Sequence, residues 1–199
     1  MINVCQPTIP AVLIMAAGFL LLPLKVVAEK VVVINGPFQI SKRGLMTVMA
    51  EKQRLMRKVG VDLVYDSVRY SDRLPIRCTR LDLPSRKQCL SILRRRAGNN
   101  NTWYVLPPVV DGGLRYIIGM AQLGKPSYFT SAQDVNAAGD NRIFASTVAA
   151  AHELGHVLCA PHVSSETIMN PDAGYLASKY QRVLEWDWTS KSRIEDGCS

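Results

Sequence analysis

All three histidines of this 199-residue chain fall in one stretch, His152-Glu153-Leu154-Gly155-His156-Val157-Leu158-Cys159-Ala160-Pro161-His162. His152 and His156 are four residues apart, which on an α-helix stacks both rings on one face. Two imidazoles placed this way hold one metal ion. Glu153 cannot join them from the same stripe, but it reaches a water at the metal. This is the H-E-x-x-H arrangement of zinc hydrolases, with the glutamate as general base. His162 follows six residues after His156. It supplies a third ligand if the helix ends between them and the chain turns back. Three protein ligands leave the fourth position of a tetrahedral zinc open, which separates a catalytic site from a structural one. The bland alternative for the first five residues is an amphipathic helix with exposed histidines. His162 counts against it, and so does Met169 in the tight segment Thr167-Ile168-Met169-Asn170-Pro171.

With these residues in hand, the stretch resembles the metzincin metalloproteases, whose signature H-E-x-x-H-x-x-G-x-x-H is followed by a methionine-bearing turn. The resemblance implies one catalytic Zn2+ held by His152, His156 and His162, with Glu153 as base and Met169 in a structural Met-turn. It also implies an α/β fold: a twisted, mostly parallel sheet of about five strands, an antiparallel edge strand, an active-site helix and a small C-terminal subdomain. Ile-Met-x-Pro and Ala160-Pro161-His162 are most similar to the adamalysin (reprolysin) and matrix metalloproteinase branches. Two positions depart from the pattern. Val163 stands where adamalysins carry aspartate, and Cys159 stands where the family has glycine. That glycine lets the helix end in a tight turn, often at positive φ, where a side chain costs roughly 1 kcal/mol or more.

The remaining expectations concern export, charge and order of elements. Ala11 to Leu22 is an unbroken apolar run, and Val26-Val27-Ala28 suits cleavage before Glu29. Residues 1–28 therefore read as a signal peptide, with an uncleaved membrane anchor as the alternative. Residues 29–199 read as one catalytic domain, 29–162 forming its upper part and 163–199 its lower part. A secreted or periplasmic location follows. An even set of cysteines in an exported chain favours disulfides. Of three pairings among Cys78, Cys89, Cys159 and Cys198, the favoured one joins Cys78 to Cys89 and Cys159 to Cys198.

The chain carries a formal charge of +8, much of it between Arg73 and Arg96. Such a patch attracts an acidic substrate or an anionic envelope polymer, or is simply a solvated face. No aromatic residues interleave the arginines, which counts against single-stranded nucleic acid, and no specific nucleic-acid motif is present. A monomer is expected.

Along the chain, the residue patterns predict a strand at 30–35, a helix capped by Ser41 and running to Lys58, and a strand at 61–70. A helix capped by Ser85 and Gln88 follows, then strands at 102–106, 115–121 and 127–130. The active-site helix runs from about Asn141 to Cys159, 171–186 is irregular, and Thr189 or Ser190 caps a last short helix. By resemblance, Arg115–Ala121 is the edge strand over the cleft, so Ile118, Gly119 and Met120, with Pro171 from the pocket wall, are candidate substrate contacts. The polar stretch 133–141 reads as a connecting loop; calcium there lacks the EF-hand spacing. Together these point to an exported zinc endopeptidase acting on a protein or peptide. The alternatives are a zinc hydrolase of another amide, such as an envelope peptide cross-link, or a silent binding protein of the same fold.

Overall fold

The computed structural model describes residues 24–34, 40–73, 78, 83–107, 110–111, 114–115, 119–131 and 141–198. In chain order the elements are β1 (Lys25–Ile34), α1 (Lys42–Arg57), β2 (Val61–Ser71), α2 (Leu83–Ala97), β3 (Thr102–Leu106), β4 (Val110–Asp111), β5 (Leu114–Arg115), β6 (Gly119–Met120), β7 (Tyr128–Ser131), α3 (Asn141–Val157), α4 (Ala173–Tyr180) and α5 (Trp188–Asp196). No helix among the described residues is long and apolar enough to cross a membrane.

Five strands form one sheet in the order β2-β1-β3-β7-β6. The β1–β2, β1–β3 and β3–β7 pairs are parallel, and β6 runs antiparallel to β7 at the edge. β3, Thr-Trp-Tyr-Val-Leu, is buried at every position, as a strand covered on both faces must be. Alternation divides it: Trp103 and Val105 join the core under α1 and α3, while Tyr104 and Leu106 join a second cluster under α2. Val31 and Val33 of β1 side with the first pair, and Val32 and Ile34 with the second. The sheet is thus the middle layer, with α3 on one face and α2 on the other.

α1 follows its sequence cues closely. The Ser41 side chain accepts a hydrogen bond from the Gly44 N–H at 3.0 Å, and Leu45, Val48, Met49, Leu55 and Met56 are buried. Gly60 stops the turn at φ +72°, a conformation glycine adopts without steric cost. The unusual buried residue on α1 is Lys52, whose side chain is 0% exposed. Its ammonium meets Glu29 Oε2 at 2.5 Å and also bonds the Tyr128 hydroxyl, which donates to Glu29 Oε1 at 2.6 Å. It also lies 4.5 Å from the centre of the Trp103 ring. Burial pulls the Lys52 pKa down and the Glu29 charge opposes it. Burial, then Glu29, pushes the Tyr128 hydroxyl well up. This polar knot lies between sheet and helices and was not foreseen from the sequence.

Several boundaries differ from expectation, each for a local reason. β1 begins at Lys25, because Lys25–Ala28 pair with Val61–Val64 of β2, although the apolar run nearby had pointed to the end of an exported segment. α2 begins at Leu83, two residues before the expected Ser85 cap. Of the expected long strand at 115–121, Arg115 pairs antiparallel with Val110 of β4, and among the described residues Gly119–Met120 joins the main sheet. Ile118 lies outside the described residues, as do 132–140, where the polar loop and the calcium alternative had been placed. The segment read as irregular contains α4. The last helix is capped by Asp187, whose carboxylate accepts from the Ser190 N–H at 2.8 Å, so Ser190 sits inside the helix.

Candidate metal centre

α3 carries His152 and His156 on the stripe facing the cleft, and the helix ends where the sequence suggested. The Leu158 N–H reaches the Leu154 carbonyl, while the Ala160 N–H reaches back to Gly155 at 2.9 Å. The wider second bond closes a C-terminal turn that needs one left-handed residue. That residue is Cys159, at φ +77°. The position does require the conformation for which the signature keeps glycine. Cys159 is paired with Cys198, with Cα atoms 5.3 Å apart, and Cys78 with Cys89 at 4.9 Å. Both pairs are those favoured from the sequence. Gly124 packs against the first bridge; a Cβ there would lie 2.8 Å from Cys198 Sγ.

The reversal delivers His162 to the two helical rings. The three Nε2 atoms form a nearly equilateral triangle: 3.1 Å between His156 and His152, 3.2 Å between His152 and His162, and 3.0 Å between His156 and His162. The other ring nitrogens explain what this triangle is for. His152 Nδ1 lies 2.7 Å from the Ile168 carbonyl and His156 Nδ1 lies 2.8 Å from the Ala160 carbonyl. A carbonyl only accepts, so both Nδ1 atoms carry the proton and both Nε2 atoms present bare lone pairs. Converging lone pairs repel unless a cation lies among them. Zinc bonded tetrahedrally to nitrogen at about 2.0–2.1 Å would separate its ligands by about 3.3 Å, close to the spacing observed. The residues therefore fit zinc, and the carbonyls hold two rings in the ligating tautomer. Burial depresses all three histidine pKa values, that of His152 to about 3 with added repulsion from His156. The rings are neutral at pH 7, as ligands must be.

Glu153 is buried beside the triad. Burial raises its pKa to about 8, against a hydrogen bond from the Ala121 backbone that lowers it. Its carboxyl lies against β6: a Cβ placed on Gly119 would be 2.2 Å from Glu153 Oε1. The bare backbone of Gly119 thus leaves room for the glutamate carboxyl. Gly155 plays a matching part on the opposite side. A Cβ there would meet Met169 Sδ at 2.6 Å and the Trp186 ring at 3.2 Å. Met169 is fully buried and its carbonyl accepts from the Val163 N–H at 3.1 Å.

The triad, Glu153, Gly119, Met120 and Pro171 share one open cleft of about 300 Å³, which Arg86 also lines. Of the sequence-derived site residues, only Ile118 falls outside this description. Arg86 had been grouped with the basic surface patch, and nothing in the sequence marked it as facing the histidines.

No protein-family profile and no curated protein matches the sequence. Solved structures do match. The archaemetzincin of Methanopyrus kandleri superposes with a TM-score of 0.63 over 85% of this chain and 94% of its own, at 14% identity. The malonate complex of the Archaeoglobus fulgidus archaemetzincin gives 0.57 over 83% and 99%, also at 14%. The fold is the one seen in these archaemetzincins. Metalloproteinase-II of Bacteroides fragilis gives 0.57 at 13% identity, over 86% of this chain and 53% of that one. At such identities the likeness concerns the fold alone, and it accords with the expected five-stranded, mostly parallel sheet. These three neighbours are archaemetzincins and a bacterial metalloproteinase, whereas the signature residues had suggested the adamalysin and matrix metalloproteinase branches.

Proposed function

We infer that the protein is an exported zinc-dependent endopeptidase, with His152, His156 and His162 as ligands and Glu153 as general base. The observation that carries this reading is the triangle of Nε2 atoms, two of them held deprotonated by backbone carbonyls, with Glu153 in the same cleft. Zinc, when bound, supplies Lewis-acid chemistry: it acidifies water and polarises a carbonyl. The chain's own residues do the rest. A carboxylate oxygen of Glu153 takes the proton of the attacking water and returns it to the departing amide nitrogen. A cation close by favours the ionised carboxylate, opposing the burial that raises its pKa. Gly119 and the Ala121 N–H fix the Glu153 carboxyl, and the Ile168 and Ala160 carbonyls orient the rings. β6, at the edge of the sheet, offers an extended peptide an unpaired strand edge. Met169 is assigned the supporting position of a Met-turn methionine, because Gly155 lets it sit against α3. Export is supported by the apolar run at residues 11–22 and by the two cysteine pairs.

The test is zinc content and cleavage of a peptide mixture, measured in parallel for the protein and Glu153→Ala. One zinc in both, with cleavage by the parent alone, is the expected result. Zinc in both with no cleavage of any peptide or cross-linked envelope fragment would move the assignment to the silent, binding alternative. Parent protein purified without zinc and unable to take it up would sink the reading.

A further inference from the structure

Among the described residues, apart from the triad and Glu153, one ionisable side chain lines the cleft: Arg86, near the start of α2. Its backbone is well fixed. α2 is anchored by the Cys78–Cys89 pair and by Leu90 and Leu93, which are buried against the face of the sheet away from α3. Its guanidinium is short of a partner at one nitrogen. Nε is buried and has no hydrogen-bond partner, and no ion pair joins it to an acid among the described residues. Buried donors are nearly always bonded, and a charged one left without a partner is costly. A side chain kept this way beside a chemical site points to a ligand that completes it.

The surroundings indicate its sign and chemistry. Further along α2, Lys87 and Arg94 line an adjoining cavity of about 480 Å³, which shares Met120 and Ala121 with the cleft. Arg94 is bonded to Gln122, which leaves Arg86 as the guanidinium available inside the cleft. The edge strand β6 therefore runs between the histidine triad and a cationic helix. A peptide laid along β6 with a carbonyl at the triad would lie in the cleft that Arg86 lines. The planar fork of a guanidinium matches a carboxylate two bonds at a time. The one carboxyl in the cleft, Glu153, is already held by Ala121.

We propose that Arg86 binds a carboxylate of the substrate, which makes this protein selective for peptides that carry an acidic group close to the bond being cut. The proposal rests on the peptidase reading above and adds the substrate class. The carboxylate comes either from an aspartate or glutamate side chain or from the free C-terminus, and the same experiment separates these sources.

One peptide found to be cleaved is made in four forms, with glutamate or glutamine beside the scissile bond and with a free or amidated C-terminus. Parent, Arg86→Gln and Arg86→Glu are compared on all four. Loss of the charged pair is expected to lower kcat/KM by roughly 10- to 100-fold, chiefly through KM, and only on the form bearing the recognised carboxylate. Dependence on glutamate identifies the side chain, and dependence on the free acid identifies the terminus. Arg86→Glu should shift the preference to a peptide with lysine at that position. Binding gives a readout without turnover. A labelled acidic peptide should bind Glu153→Ala protein more tightly, by the same factor, than the Arg86→Gln/Glu153→Ala double variant, at equal zinc content and equal melting temperature. Equal cleavage of all four forms by the parent, or an equal loss on all four in Arg86→Gln, overturns the proposal and leaves the peptidase reading standing. A parent without zinc or cleavage overturns both.

Discussion

Gly119→Ala tests the tightest contact in the site. The new Cβ would lie 2.2 Å from Glu153 Oε1, 2.6 Å from Cγ and 2.7 Å from Cδ, whereas ordinary contact begins at 3.4 Å. Backbone φ at 119 is not in the left-handed region, so the alanine itself is unstrained. What yields is the carboxyl, the far end of a flexible side chain, which must retreat by at least 1.2 Å, the difference between 3.4 and 2.2. The three atoms nearest the new Cβ all belong to Glu153 and none to a histidine, so metal binding is expected to persist. A misplacement of about 1 Å in a catalytic group costs on the order of 100-fold. The expected result is a kcat lowered about 100-fold, with zinc content unchanged and melting temperature nearly so. The assays are peptide hydrolysis, metal analysis and thermal unfolding on one preparation. A variant that keeps full zinc and more than half of the parental kcat would refute the reasoning: either the Glu153 carboxyl does not rest on β6 or its position is irrelevant to turnover.

Three further outcomes are expected. Gly155→Ala presses Met169 Sδ and a Trp186 ring whose Nε1 is fixed to the Leu55 carbonyl at 3.0 Å; overpacking should cost about 1–3 kcal/mol, read as a melting point lower by roughly 3–10 °C. Lys52→Met leaves Glu29 buried without its cation and should cost roughly 3–5 kcal/mol in urea unfolding, while Lys52→Met/Glu29→Leu should recover part of that loss. Metal-free protein should lose stability between pH 6.5 and 8: Glu153 titrates near 8 when folded and near 4.5 when unfolded, so the folded state holds the extra proton and rising pH favours unfolding, by at most about 1.4 kcal/mol per pH unit. Glu153→Gln should flatten that slope, and a slope unchanged by the substitution would count against the raised pKa. Below pH 6.5 the sign reverses for His152, whose folded pKa lies near 3: the unfolded chain then binds the proton, and acid destabilises.

The metal site was legible in the sequence because helical spacing fixes it locally. Four residues separate two ligands on one helix face, and a third follows a short reversal, so little tertiary information is needed to bring them together. α1 was legible for the same reason, with a cap, a stripe and a glycine stop in order. Contacts between distant segments were not. Glu29, Lys52 and Tyr128 meet from three elements, and as isolated letters they read as surface residues. Gly119 was singled out as a substrate contact, but that its bare backbone also makes room for Glu153 was not legible, since sequence shows that space is needed and not who fills it. Gly155 carried no signal beyond its size. Arg86 looked like its cationic neighbours, because which face of α2 turns toward the cleft depends on how the helix docks on the sheet. α4 was hidden because the chain just before it is rich in turn-forming residues.

Cys159 changes how the site is assembled. In the signature the helix ends on a glycine whose backbone reverses freely. Here a side chain occupies φ +77°, and the bridge to Cys198 ties that turn to a strand of chain arriving from the far end of the sequence. The third histidine lies three residues beyond it. The bridge therefore fastens the reversal on which delivery of His162 to the other two rings depends, and it joins the C-terminal end of the chain to the metal centre.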